Sequence, residues 1–184
     1  MNNEDKDDKK TNLIIDKIRE NTRNNRLTYV KNFLEEPFNL NENEILEKID
    51  KAREKEENQD IKVLKGKKGY YFYSNKRMTK EYALILAGLE DNDNPGLIAH
   101  HVRNDCKTYP RPTDNRVFMN FPFFLSEEEL TETLEEMTKH PDYEDIKKLY
   151  TSNGVMFLYS DKHLSEKRAK RIAEHREVIS KQSI

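Results

Sequence analysis

Four lysines crowd one short stretch: Lys62, Lys65, Lys67 and Lys68, around Gly66 and Gly69. Ammonium groups on a projecting turn can neutralise phosphates and release condensed counterions, so the stretch is a candidate nucleic-acid contact. Lys48 and Lys51, on an upstream segment with helical periodicity, extend that candidate surface. The same lysines have a plain structural use, because charge at a strand edge discourages aggregation. A run of opposite sign follows later, with Glu127, Glu128, Glu129, Glu132, Glu135 and Glu136. A helix carrying it repels a phosphate lattice. Its candidate contacts to a protein with a basic surface are Glu128, Glu132 and Glu135. Part of the run is helix-start stabilisation by the macrodipole.

His100, His101 and Cys106 resemble metal ligands in type but not in placement. Adjacent helical residues point about 100° apart, so neighbouring histidines do not converge on one ion. No zinc spacing, nucleophile elbow or phosphate-cradling loop is present, and five glycines leave little material for such loops. The expectation is a protein that is not an enzyme and uses no cofactor and no metal. Cys106 is the sole cysteine, which excludes an internal disulfide and suits a small core position.

These residues sit in a chain written twice. Pro37-Phe38-Asn39-Leu40 recurs as Pro122-Phe123-Phe124-Leu125, and at the same offset Arg26, Thr28, Phe33 and Glu44 meet Arg111, Thr113, Phe118 and Glu129. Asp60-Ile61-Lys62 meets Asp145-Ile146-Lys147, and Leu13-Ile14 with Arg19 answers Leu97-Ile98 with Arg103. One inserted residue then carries Tyr73-Ser74 onto Tyr159-Ser160 and Ala83 onto Ala169. Roughly a quarter of the aligned positions agree, which marks an internal duplication. A feature in both copies reads as architecture; a feature in one copy is free to be function. Arg26 and Arg111 therefore read as structural, bonding a carbonyl or Asp60 and Asp145, with a binding role as the alternative; Thr28 and Thr113 read as helix caps. The lysine tip is not shared, since the second copy has Thr151-Ser152-Asn153 there.

Each copy predicts the same order of elements. Residues 1–11 are polar and expected to be a disordered tail. Leu13, Ile14 and Ile18, and then Leu97, Ile98 and Val102, fit one face of a first helix. A short helix starts at Thr28 or Thr113 and ends before Pro37 or Pro122. Asn41 with Glu44, and Ser126 with Glu129, have capping-box spacing, and Ile45, Ile49, Ala52 and Leu130, Leu134, Met137 follow as apolar stripes. Hairpins follow, over Ile61 to Tyr73 and Ile146 to Tyr159, the second turning at Asn153-Gly154 with both residues at positive φ. Tyr70 to Tyr73 could stack bases, but alternate positions must face the core. A closing helix carries Met78, Tyr82 and Leu86, or Leu164, Ala169 and Ile172. Module 1 is expected over 12–91 and module 2 over 95–176, with 177–184 as a C-terminal tail.

This order resembles a tandem winged helix-turn-helix protein, with the hairpin as wing and the third helix in the recognition position. The resemblance implies an α+β fold of two winged-helix-like modules, each with three to four helices and a hairpin. Modules of this kind bind DNA, RNA or proteins. A formal net charge of −2 gives no global field toward nucleic acid or anionic membrane. No apolar run approaches the ~20 residues that cross a bilayer, and the polar N-terminus lacks a signal-peptide core, so a cytoplasmic protein is expected. The expected function is a protein-interaction or accessory module. The alternative is a DNA-binding transcriptional regulator that uses Lys48, Lys51, Lys62, Lys65, Lys67 and Lys68 of module 1.

Overall fold

Ile45, Ile49 and Ala52 recur at helical spacing, and their burial fixes how the first module packs. The computed structural model describes residues 3–179. The chain divides into two units, Met1–Asn92 and Asp93–Ile184. In the first, α1 (Asn3–Arg23) is followed by β1 (Thr28–Tyr29), a 3-10 turn (Val30–Phe33) and α2 (Glu42–Arg53). The hairpin β2 (Ile61–Lys65) and β3 (Tyr70–Ser74) and then α3 (Lys80–Asp91) complete it. The strands form an antiparallel sheet in the order β1-β3-β2.

The sheet is covered on both faces, which explains the uninterrupted aromatic run on β3. Phe72 packs with Ile14, Ile18, Phe33, Ile45 and Ile49 from α1, the 3-10 turn and α2. Tyr71 and Tyr73 point the other way, as strand periodicity requires, and pack with Met78, Ala83 and Ala87 at α3. Each fully buried isoleucine contributes about 2 kcal/mol through the apolar area it removes from water.

The second unit repeats the order as α4 (Asn94–Thr108), β4 (Thr113–Asp114), a 3-10 turn (Asn115–Met119), α5 (Glu127–Thr138), β5 (Ile146–Tyr150), β6 (Met156–Ser160) and α6 (Glu166–Glu174). Its sheet order is β4-β6-β5. The protein is therefore an α+β duplication. Both capping boxes form: Asn41 and Glu44 exchange side-chain and amide bonds at α2, and Ser126 and Glu129 do so at α5.

Several expectations need correction. The tail over 1–11 is wrong for residues 3–11, which are the first turns of α1; Thr11 bonds back to the Asp7 carbonyl at 3.0 Å. Leu13 is exposed, and Ile15 takes its place in the core. Thr28 and Thr113 do not cap helices: each lies in a two-residue strand paired with β3 or β6. Of Asn153 and Gly154, only Gly154 has positive φ, at 84°. The Gly154 amide donates to the Thr151 carbonyl and the Thr151 amide to Val155, closing a three-residue turn with glycine at its left-handed position. The closing helix α3 buries Ala83 and Ala87, while Tyr82 and Leu86 are half-buried. The C-terminal tail does not begin at 177, since a π-helical turn spans His175–Ile179 and Glu177 is buried. The remainder of that tail, 180–184, lies outside the described residues. Among the described residues no helix is long and apolar enough to cross a membrane.

Candidate functional site

Asp60 and Asp145 are buried aspartates at equivalent positions, and an arginine, a serine hydroxyl and a lysine face each. In module 1 the Arg19 guanidinium reaches both Asp60 oxygens, at 2.7 and 3.2 Å, and the Ser74 hydroxyl donates to Oδ2 at 2.6 Å. Lys76 stands 3.8 Å away, and the Ser74 amide donates to the Thr22 hydroxyl. In module 2 Arg103, Ser160, Lys162 and the Cys106 thiol take those places. Burial opposes ionisation of Asp60, but the bonds from Arg19 and Ser74 outweigh it and hold the pKa at about 2. Asp145 also lies well below the usual carboxylate range, chiefly through Arg103. These charges tie the first helix of each module to its hairpin and are architecture. The arginine partners of Asp60 and Asp145 are thus Arg19 and Arg103. Arg111 instead bonds Asp105 at 3.0 Å and covers the Tyr109 ring.

Cys106 is explained by the same comparison. Its thiol accepts from the Ser160 amide at 3.3 Å, as the Thr22 hydroxyl does from Ser74. Burial pushes its pKa up, so it stays protonated and unreactive. His101 packs edge-on to Phe118 and Phe123, with ring centroids at 5.6 and 5.4 Å, and stands 3.8 Å from Asp105. Burial lowers its pKa against the pull of that carboxylate.

The six candidate lysines of module 1 fall in two places. Lys48 and Lys51 lie on α2, where Lys48 is half-buried and ion-paired with Asp7. Lys62 and Lys65 lie on β2; Lys62 donates to the Gln59 carbonyl at 2.9 Å, and Lys65 covers the Tyr70 ring. Lys67 and Lys68 form the hairpin tip, and their backbone amides donate to Asp91 at 2.6 and 3.1 Å. The Lys68 ammonium donates to the Glu90 carbonyl at 2.8 Å. The tip is held by the closing helix, and several of its lysines already have partners within the fold.

On α5, Glu127, Glu128, Glu132, Glu135 and Glu136 are all exposed. Five cations of module 2 pair with other carboxylates: Arg103 and Lys162 with Asp145, Arg111 with Asp105, Arg116 with Asp114 and Glu177, and Lys147 with Asp161. A groove of about 630 Å³ runs beneath α5, lined by Leu134, Met137, Tyr143, Ile146, Lys148 and neighbours. Just before α5 the structure exposes two aromatic side chains that sequence reasoning missed, Phe121 and Phe124. The signal was available in the repeat, where Glu36 and Asn39 occupy their positions.

The class defined by this geometry is a duplicated α+β module in which a helix–strand–turn–helix unit is locked to a hairpin by a half-buried arginine on a buried aspartate. Both halves match the YdhW C-terminal domain family, over residues 7–94 and 92–181, and the chain belongs to that family. It is similar to the uncharacterized protein YdhW of Escherichia coli (strain K12), with 28% identity over 166 residues, covering 90% of this chain and 77% of the relative. No solved structure matches it.

Proposed function

We propose that this is a non-enzymatic, tandem winged-helix-like protein that serves as an interaction or accessory module and engages a partner polypeptide with a basic surface through α5. The element order and the 1-3-2 strand order support the winged-helix-like reading. On that reading α5 corresponds to the recognition helix of such modules. The observation that carries the functional reading is the exposed glutamate face of α5, formed by Glu127, Glu128, Glu132, Glu135 and Glu136. Charge of that sign steers association with a basic surface and opposes nucleic acid.

A second reading, duplex binding by module 1, is favoured by the exposure of Lys65, Lys67 and Lys68 on one hairpin. Against it stand the internal partners of Lys48, Lys62 and Lys68. Two experiments separate the readings. Anisotropy titration of a labelled duplex is expected to show no salt-sensitive binding near physiological ionic strength. Salt-sensitive binding abolished by Lys65→Glu, Lys67→Glu and Lys68→Glu together would favour the second reading. Reversing Glu128, Glu132 and Glu135 to lysine is expected to weaken cross-linking and co-purification of a protein partner. Unchanged partner recovery would remove the basis for the first reading.

A further inference from the structure

Phe123 and Phe124 are neighbours with opposite fates. Phe123 is buried against Phe118, with centroids at 5.1 Å, and does the packing work of this turn. Phe124 is 67% exposed and Phe121 66%. Their rings meet edge to face at 5.9 Å, so they present one continuous aromatic patch on the order of 250 Å². Phe124 also sits at φ 51°, the left-handed region that bulky residues rarely adopt. Asn39 adopts φ 46° at the equivalent position of module 1, and asparagine tolerates that conformation far better. Glu36 stands in the place of Phe121. Module 2 therefore replaces two residues suited to an exposed turn with two that are not. Phe124, strained and facing solvent, points to a ligand.

We infer that Phe121 and Phe124 are the apolar anchor of a docking surface, flanked by the α5 glutamates, for a basic amphipathic segment of another polypeptide. The inference rests on the interaction reading above and names the surface and the chemistry of its occupant. Charge decides the occupant. α5 starts at Glu127, three residues beyond Phe124, so the two Cα atoms lie within about 11 Å. Exposed Glu127 and Glu128 repel nucleic acid and anionic lipid from the aromatic patch. A segment that covers the rings with apolar side chains and presents lysine or arginine to the glutamates satisfies both features, and aromatic anchors commonly dominate such interfaces.

The test uses the full chain and a fluorescein-labelled helical peptide of leucine and lysine, with a leucine–glutamate peptide as control. Wild type is expected to bind the first and not the second. Phe121→Glu with Phe124→Asn, which installs the module 1 residues, is expected to weaken binding at least tenfold. Its melting temperature should be unchanged or raised, which shows that the loss is not unfolding. Unaltered peptide binding by this double variant, alongside weakened binding by Glu128→Lys with Glu132→Lys, overturns the aromatic anchor and leaves the interaction reading standing. Unaltered binding by both variants overturns both. Binding of a single-stranded oligonucleotide or an anionic vesicle that is lost on Phe124→Asn overturns the assigned occupant. Self-association by sedimentation that depends on Phe124 does the same, because the occupant is then a second copy of this chain.

Discussion

Replacing Asp60 by asparagine removes one charge while keeping size and one acceptor, so it isolates the electrostatic part of the Arg19–Asp60–Ser74 cluster. The Asp60 side chain is 1% exposed, and its partner Arg19 is 26% exposed, so solvent screens the pair only in part. A folded pKa of about 2 against an unfolded value near 3.9 corresponds to about 2.5 kcal/mol of stability for the ionised group. Because the folded pKa is the lower one, that contribution is fully present above about pH 4 and is lost as pH falls toward about 2. At neutral pH, Asp60→Asn is expected to destabilise module 1 by about 2–3 kcal/mol, which for a module of this size lowers its melting temperature by roughly 10–20 °C. The assay is thermal and urea denaturation of wild type and variant between pH 7 and pH 2.5. The gap between them should close as the solution is acidified. A gap that stays constant down to pH 2.5 would mean that the cluster stabilises by shape and neutral hydrogen bonds, not by charge.

Two further outcomes follow from local geometry. Ser126→Ala removes the acceptor for the Glu129 amide at the start of α5 and should cost about 1 kcal/mol in urea denaturation, whereas Glu135→Ala on the exposed face should be nearly silent; the reverse order would mean the helix start is not held by its cap. Cys106→Thr reproduces the module 1 solution and should leave the melting temperature close to wild type, while Cys106→Val orphans the buried Ser160 amide and should cost about 1–3 kcal/mol; equal stability of the two variants would refute the thiol's role as acceptor.

The features legible in the sequence were those with short-range signatures. The capping boxes at Asn41 and Ser126, the apolar stripes of α2 and α5 and both hairpins announce themselves within short, continuous stretches of chain. The strands at Thr28 and Thr113 did not, because two residues carry no period and pair with a strand more than 40 positions away. The polar start of α1 looked like a tail, yet a helix already nucleated by the burial of Ile14, Ile15 and Ile18 extends at little further cost, and the Lys48–Asp7 ion pair helps to hold it. Arg19, Asp60 and their counterparts were visible as recurring residues. Which arginine meets which aspartate is a long-range matter that spacing could not decide. Phe124 was passed over for a different reason: its exposure depends on backbone conformation, and only Asn39 at its place in the repeat, where both residues have positive φ, hints at it.

The duplication also shows how to tell a compensated difference from an uncompensated one. In module 1, Tyr29 stacks on its strand partner Tyr71 at 4.8 Å, and Tyr71 donates to buried Asp91 at 2.7 Å while Asp91 also holds the hairpin-tip amides. In module 2 the paired residues are Asp114 and Phe157, and phenylalanine has no hydroxyl to offer. The buried acid persists as Glu177, now met by Arg116 at 2.7 Å, and Arg116 also neutralises Asp114. The hairpin tip, in turn, is held by Glu174, which accepts from the Ser152 amide at 2.7 Å. These linked substitutions keep Asp114 and Glu177 bonded, as a low-dielectric interior demands. They are two solutions of one structural problem and say nothing of function. The change from Asn39 to Phe124 is of another kind: it leaves a residue in an unfavourable backbone conformation and exposes apolar surface, next to the exposed ring of Phe121, and the core packing of the turn is supplied by Phe123. A difference between copies that puts strain and apolar surface at the exterior is where a partner-specific role is to be sought, and here it lies next to the exposed acidic face of α5.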